Sequence, residues 1–170
     1  MADGLVRHAN IEDFETIFNI WMERPGAKPL KPNHAVEYRD SLFMRLRIDH
    51  SGFGTWVYED ETGQILGWQS LAPFRANPAI RNSMAEFSMY VSKKARNSGV
   101  GRKLMAATLA HADRSQLEYV IGYVAEPNIA MLHICGSQGF TRGPDMVPSD
   151  KNVARGILVP VFYRCKIVMI

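Results

Sequence analysis

The chain has 170 residues, the size of one ordinary domain, and we expect a single domain over 1–170. With 46% hydrophobic and 22% charged residues it has enough apolar side chains for a core, which argues against intrinsic disorder. A formal net charge of +3 is too small an excess to indicate a nucleic-acid partner, although it is compatible with a basic patch for an anionic ligand.

No segment indicates export or membrane insertion. Residues 1–14 contain no apolar run typical of a secretory signal, and no apolar run approaches the ~20 residues that cross a membrane. We therefore predict a cytoplasmic protein without a membrane partner. The two cysteines, Cys135 and Cys165, stand in neither a CxxC nor a metal-like spacing, which predicts buried, reduced thiols.

The first part of the chain predicts one strand followed by two helices. Residues 4–9 form a short apolar and basic stretch that is typical of a strand. Asn10 is a plausible N-cap, because acidic residues follow it and apolar residues then repeat at helical spacing as far as Trp21. Pro25 and the glycine after it end this helix, and a second helix is predicted over 34–48.

Strands follow the second helix. Residues 55–58 and 65–71 predict a hairpin with its turn at 59–63, and 85–92 predicts a strong strand. Alternate residues of the strong strand fall on two faces, with Glu86, Ser88 and Tyr90 on one face and Phe87, Met89 and Val91 on the other.

The remainder alternates helices and strands. We predict a helix over 99–112, a strand over 119–124, a helix over 128–137 and at least one further strand within 156–168. The element order is β-α-α-β-β-β-α-β-α-β-β. Hairpins followed by a β-α-β unit predict an α/β (α+β) fold, with a mixed sheet and helices on its faces.

Residues 91–104, VSKKARNSGVGRKL, carry the most informative pattern. A strand enters a loop with two glycines, Gly99 and Gly101, and the loop opens a helix. Backbone N–H groups at a helix N-terminus have no intrahelical partners, and the helix dipole favours negative charge there. Glycines allow an anion to approach closely, so the segment predicts a pyrophosphate site. Positive charge surrounds it at Lys93, Lys94, Arg96, Arg102 and Lys103.

Other phosphate motifs fit this loop poorly. A P-loop needs GxxxxGK followed by Ser or Thr, and the dinucleotide fingerprint needs a third glycine; both are absent. A helix that simply begins with two glycines beside a solvated basic turn stays open as the alternative. The basic run lacks the interleaved aromatic residues that stack on nucleic-acid bases, so a nucleic-acid binder ranks last.

The spacing Arg96-x-x-Gly99-x-Gly101 resembles the [Q/R]-x-x-G-x-[G/A] pyrophosphate motif of the GNAT acyltransferase superfamily, and residues 128–140, NIAMLHICGSQGF, resemble its N-x-x-A-x-x-[LYH]…G-[FY] segment. The resemblance implies a mostly antiparallel mixed sheet with helices on both faces, acetyl-CoA as co-substrate, and a homodimer. It implies cofactor contacts at Tyr90, Val91, Arg96, Asn97, Ser98, Gly99, Val100, Gly101, Arg102 and Asn128.

A narrower similarity is to the phosphinothricin acetyltransferase branch. It rests on residues 85–92, AEFSMYVS, on Asn128, and on His133, where many other members have tyrosine. Residues 144–155 depart from the Trp/Asp-rich stretch usual in that branch. Phosphinothricin, another amino acid analogue such as methionine sulfoximine, and an unrelated amine therefore all stay open as acceptors.

Acyl transfer to nitrogen needs an unprotonated amine, a base, and donors for the thioester carbonyl and the leaving thiolate. Glu86 is the candidate base and substrate contact. It is the only acid in the strong strand, and burial there would raise its pKa. A solvent-facing glutamate is the alternative. The resemblance gives Glu86 the same role. It also implies that the backbone N–H of Tyr90 or Val91 donates a hydrogen bond to the thioester carbonyl.

For four further side chains two roles stay open. His133 matches the position of the family's acid and would protonate the thiolate, or it would pack on a helix face. Tyr123 would contact substrate or donate a proton. Asn128 would bind the pantetheine arm or cap a helix. Arg75 would pair with a substrate carboxylate or be solvated.

We predict acetyl transfer from acetyl-CoA to the primary amine of a small molecule by direct attack, without a metal. A protein or peptide N-acetyltransferase and a non-catalytic CoA-binding sensor are the alternatives.

Overall fold

The computed structural model describes residues 4–24, 32–48, 52–74, 79–146 and 157–166. They form a seven-stranded mixed sheet in the order β1-β2-β3-β4-β5-β7-β6. The elements are β1 (Leu5–His8), α1 (Phe14–Met22), α2 (Pro32–Leu46), β2 (Gly54–Glu59), β3 (Ile65–Pro73), β4 (Met84–Val91), α3 (Val100–Ala112), β5 (Tyr119–Ala125), α4 (Ile129–Ser137), β6 (Thr141–Arg142) and β7 (Leu158–Arg164). Within the described chain β4 and β5 are parallel and the other strand pairs are antiparallel. The predicted element order and fold class are confirmed.

Apolar side chains cover both faces of the sheet. On one face Leu104 and Met105 of α3 are fully buried in a cluster that includes Phe87 of β4. On the other face Ile17 of α1 packs in a cluster with Trp68 of β3. The buried and half-buried residues of β4 alternate, as the sequence predicts for its two faces.

The first helix has the predicted N-cap in a modified form. The Asn10 side chain accepts hydrogen bonds from the N–H groups of Glu12 and Asp13, and the Asp13 carboxylate accepts one from the Asn10 N–H. This capping box closes a single 3-10 turn, Ile11–Asp13, and the α-helix begins only at Phe14.

Some boundaries differ from the predictions. The second helix begins at Pro32 and ends at Leu46, and β6, the first of the two last strands in the predicted order, lies before the predicted range 156–168. Cys135 and Cys165 are free and buried, and Cys165 lies one residue beyond β7. The predicted helix end at Pro25 lies outside the described residues. In the part of the chain that the structure describes, no helix is both long and apolar enough to span a membrane.

Candidate active site

The parallel strands β4 and β5 separate part way along their length. Their register runs through three pairs and ends at Glu86 and Ile121, although β4 continues to Val91 and β5 to Ala125. The β5-facing backbone groups of residues 87–91 therefore have no ladder partner from β5. Unpaired strand groups beside a cleft are available to a ligand that carries amides of its own.

The N-terminus of α3 lies beside this separation and has no side-chain cap. Gly99 occupies the N-cap position with φ 91°, and among the described residues no side chain caps the first turn by accepting a hydrogen bond from it. The Lys103 N–H donates to the Gly99 carbonyl at 3.0 Å, so the first-turn N–H groups ahead of it lack intrahelical partners. By contrast, Asn128 caps α4 by accepting from the Met131 N–H at 3.1 Å. The uncapped turn of α3 suits an anion.

A cleft of about 630 Å³ lies between the loop that precedes α3 and helix α4. It brings together most of the predicted cofactor contacts with the candidate acid: the lining includes Tyr90, Val91, Arg96, Asn97, Gly99, Gly101, Arg102, Asn128 and His133. Residues of the sequence motifs at 96–101 and at 128–140 therefore line one cavity.

Contacts to the end of α1 hold the loop in place. Arg96 donates from Nη2 to the Glu23 carbonyl at 2.7 Å and from Nε to the Val91 carbonyl at 3.4 Å. The Glu23 carboxylate accepts from the Lys93 N–H. The Arg96 guanidinium thus has a positioning role that its place in the motif alone did not indicate.

Gly101 allows α3 to approach its neighbours closely. A Cβ at this position would lie 3.1 Å from Cδ1 of Ile134 in α4 and 3.2 Å from the sulfur of Met89 in β4. Both distances are tighter than ordinary packing. The second glycine of the motif therefore keeps the helix N-terminus against the floor of the cleft.

Two predicted cofactor residues do not line the cleft with their side chains. Val100 is 3% exposed and packs in the core. Ser98 is exposed, but its hydroxyl and its N–H both donate to the Ala95 carbonyl, at 2.6 Å and 3.4 Å. Ser98 therefore shapes the loop. Val100 can contact an anion only through its backbone N–H.

Glu86 and Tyr123 lie on the same face of the sheet, where the strands separate. Glu86 is half-buried and pairs with Ile121, two residues before Tyr123. Partial burial and the charge of Glu86 both raise the pKa of Tyr123 above its ordinary value. The phenol therefore stays protonated at neutral pH. Arg75, the predicted carboxylate partner, lies outside the described residues.

The first helix also contributes to the cleft, and sequence reasoning missed this. Ile20 and Arg24 line it, and the Arg24 guanidinium lies 3.6 Å from the centre of the Trp21 ring. The helical pattern of these residues contained no signal for a ligand. Among the described residues no cluster of three His, Cys, Asp or Glu side chains is placed to hold a metal ion.

Comparison with known proteins shows the family of this chain. Residues 5–141 match the family model described as an acetyltransferase (GNAT) domain. The chain is 31% identical over 144 residues to YwnH of Bacillus subtilis, provisionally named a phosphinothricin acetyltransferase, and the match covers 82% of this chain and 83% of YwnH. It is 24% identical over 120 residues to the L-methionine sulfoximine/L-methionine sulfone acetyltransferase of Salmonella typhimurium, covering 64% and 70% of the two chains.

Among solved structures, a GNAT superfamily phosphinothricin acetyltransferase from Sinorhizobium meliloti, crystallised with acetyl-CoA, superposes with a TM-score of 0.77 at 18% identity. The superposition covers 95% of this chain and 88% of that one. The resemblance to the superfamily and to its phosphinothricin acetyltransferase branch is confirmed. The chain belongs to the GNAT acetyltransferase family.

Proposed function

We propose that this protein transfers the acetyl group of acetyl-CoA to the primary amine of a small amino acid or amino acid analogue, such as phosphinothricin or methionine sulfoximine. The proposal rests on the uncapped N-terminus of α3, which opens into the cleft where β4 and β5 separate. The names of the two relatives, which refer to such amino acids, support the acceptor class.

The residues of the cleft fit acetyl-CoA. The first-turn amides of α3 and the exposed guanidinium of Arg102 would hold the pyrophosphate. Asn128 uses its amide oxygen to cap α4, so its NH2 group is the part that would donate to the pantetheine arm. The backbone N–H of Tyr90 or Val91 would polarise the thioester carbonyl.

The bound thioester would supply an activated acyl group, and the protein would manage the protons. An ammonium has no lone pair, so the acceptor must lose a proton before nitrogen attacks the carbonyl carbon. Glu86 is half-buried at the point of strand separation, and its carboxylate would take that proton directly or through a water molecule. The departing thiolate would take a proton from Tyr123 or His133.

The first experiment measures CoA release from acetyl-CoA with a panel of amines: phosphinothricin, methionine sulfoximine, common amino acids and polyamines. We expect turnover with amino acids or their analogues. Binding of acetyl-CoA by calorimetry without turnover on any amine would favour a protein acceptor or a CoA sensor. Failure to bind acetyl-CoA would overturn the proposal.

The role of Glu86 is tested with Glu86→Gln, which keeps the size of the side chain and removes its basicity. We expect unchanged acetyl-CoA affinity and a fall in turnover of about 10²- to 10⁴-fold. Glu61→Gln, in the exposed turn between β2 and β3, is the matched control and should leave turnover unchanged. Full turnover in Glu86→Gln would show that Glu86 is not the base.

We also propose a homodimer, which the family resemblance implies. Val36 and Met44 of α2 are large exposed apolar side chains that a second copy could cover. Light scattering tests the mass in solution. A monomeric mass at micromolar concentration would overturn this part of the proposal.

A further inference from the structure

Three hydroxyl side chains form a row across β2, β3 and β4. Thr55 pairs with Ser70, and Ser70 pairs with Ser88. Thr55 is 5% exposed and Ser70 is fully buried. Their face of the sheet is the one that α1 and α2 cover, and it is otherwise apolar around Val57 and Trp68. A row of buried hydroxyls in such a layer needs polar partners.

Arg45, in the last turn of α2, reaches this row. Its Nη1 donates to the Ser88 hydroxyl at 3.2 Å and to the Ser70 hydroxyl at 3.4 Å. The side chain is half-buried. The carboxylates that form ion pairs in the described part of the chain pair with other arginines, at positions 7, 39 and 142. The Thr55 hydroxyl, beside Ser70, has no hydrogen-bond partner among the described residues.

The row ends at the proposed reaction centre. Ser88 lies between Glu86 and Tyr90 on the same face of β4, two residues beyond the last pair of the β4–β5 register. Residues two apart on a strand are separated by about 7 Å. The Arg45 guanidinium therefore lies within the length of a small substrate from the candidate base. An amino acid carries its amine and its carboxylate on one carbon, so the two groups could be held at once.

We infer that Arg45, together with the Ser88 hydroxyl, forms the subsite for the α-carboxylate of the acceptor. The inference rests on the proposed function and gives the substrate carboxylate to Arg45 rather than to Arg75, the partner that the sequence suggested. A guanidinium presents two parallel N–H donors to a carboxylate. The hydrogen bond from Arg45 to the Ser70 hydroxyl fixes the orientation of this guanidinium. The carboxylate supplies the negative partner that this half-buried cation lacks in the described chain, and it turns the amine towards Glu86.

The first test of the inference compares acceptors with the unaltered protein. The reference is the amino acid of the panel with the highest kcat/KM, and kcat/KM is also measured for its carboxamide and for the amine that lacks the carboxyl group. We expect both to react at least about tenfold less efficiently than the amino acid. Equal efficiency overturns the inference and leaves the proposed function intact. Acetylation of no amine overturns both.

Variants locate the subsite. We expect Arg45→Met to lower kcat/KM for the amino acid about 10- to 100-fold, mainly through KM, and to leave the carboxamide unaffected. Arg47→Met, an exposed arginine just beyond the same helix, is the matched control and should change neither value.

A structural role for Arg45 predicts a different pattern. Equal losses on the amino acid and the carboxamide, or weaker acetyl-CoA binding by calorimetry, would overturn the inference. Ser88→Ala provides a second variant if Arg45→Met does not fold, and it should weaken the amino acid selectively through KM. An unchanged preference for the carboxylate in Ser88→Ala, with Arg45→Met unfolded, would also overturn it.

Discussion

Phe87 of β4 covers Gly122 of β5: a Cβ at residue 122 would lie 2.1 Å from Cε1 of the Phe87 ring. The two residues follow directly after Glu86 and Ile121, the last pair of the β4–β5 register. The ring therefore stands where the strands begin to separate. Glycine lets β5 pass this close to the ring while it continues its pairing with β7.

Gly122→Ala should destabilise the protein. The added methyl group overlaps the Phe87 ring, and the pairing of Phe87 with β3 and of Gly122 with β7 limits how far the two backbones can move apart. We expect the free energy of unfolding to fall by about 1–3 kcal/mol in urea denaturation. Gly136→Ala in α4 is the control, because no atom outside the local backbone lies within 4 Å of its Cβ. It should be neutral or stabilising by up to about 1 kcal/mol. Identical urea midpoints for Gly122→Ala and the unaltered protein would contradict this account.

The sequence predicted those parts of the fold that depend on local patterns. Helical spacing placed α1 and α3, and strict alternation assigned the two faces of β4. The candidate anion site could be predicted because two glycines, a helix start and a basic loop are adjacent in the chain. The capping role of Asn10 was also readable, since its partners lie within three residues.

The rest depends on contacts between residues that are distant in sequence. The separation of β4 and β5 involves Phe87 and Gly122, which meet across two strands, so no repeating pattern in the sequence relates them. The tether from Arg96 to the end of α1 spans 73 residues. Strand β6 has only two residues, too few for any alternation to appear. The hydrogen bond from Arg45 to the Ser88 hydroxyl forms only because α2 packs over β4, 43 residues further along the chain.

Removing the charge of Arg102 should weaken acetyl-CoA binding. Arg102 is exposed at the mouth of the cleft in the first turn of α3, where it adds positive charge to the helix N-terminus. We expect Arg102→Gln to raise the Kd for acetyl-CoA several-fold at low salt, by calorimetry, with a smaller difference at high salt because ions screen exposed charges. Arg114→Gln, exposed beyond the other end of α3, should leave the Kd unchanged. A salt-independent difference would contradict an electrostatic role.

The two thiols should make stability fall at alkaline pH. Burial raises the pKa of Cys135 to about 11 and that of Cys165 to about 12, from an ordinary value of 9.0. Between pH 9 and the raised values the unfolded chain loses these protons while the folded chain keeps them. The free energy of unfolding must therefore decrease as pH rises.

Urea titrations at pH 8, 9 and 10 measure this decrease directly. The Cys135→Ala, Cys165→Ala double variant should have a shallower dependence on pH over the same range. Neither thiol should react with a thiol reagent at pH 8 until urea unfolds the protein. Rapid labelling of the folded protein would contradict the burial of both side chains.

The pH dependence of turnover should identify the group that protonates the thiolate. A proton donor works only below its own pKa, and partial burial and the Glu86 charge raise that of Tyr123. If Tyr123 is the donor, its phenol keeps its proton up to about pH 10, and kcat of the unaltered protein should not fall below that pH through loss of this proton. Tyr123→Phe should then lower kcat by about 10- to 100-fold and leave acetyl-CoA affinity unchanged. His133→Gln, which alters a side chain that lines the cleft, is the matched test. A loss of kcat in His133→Gln, with Tyr123→Phe unaffected, would assign the proton to the imidazole instead.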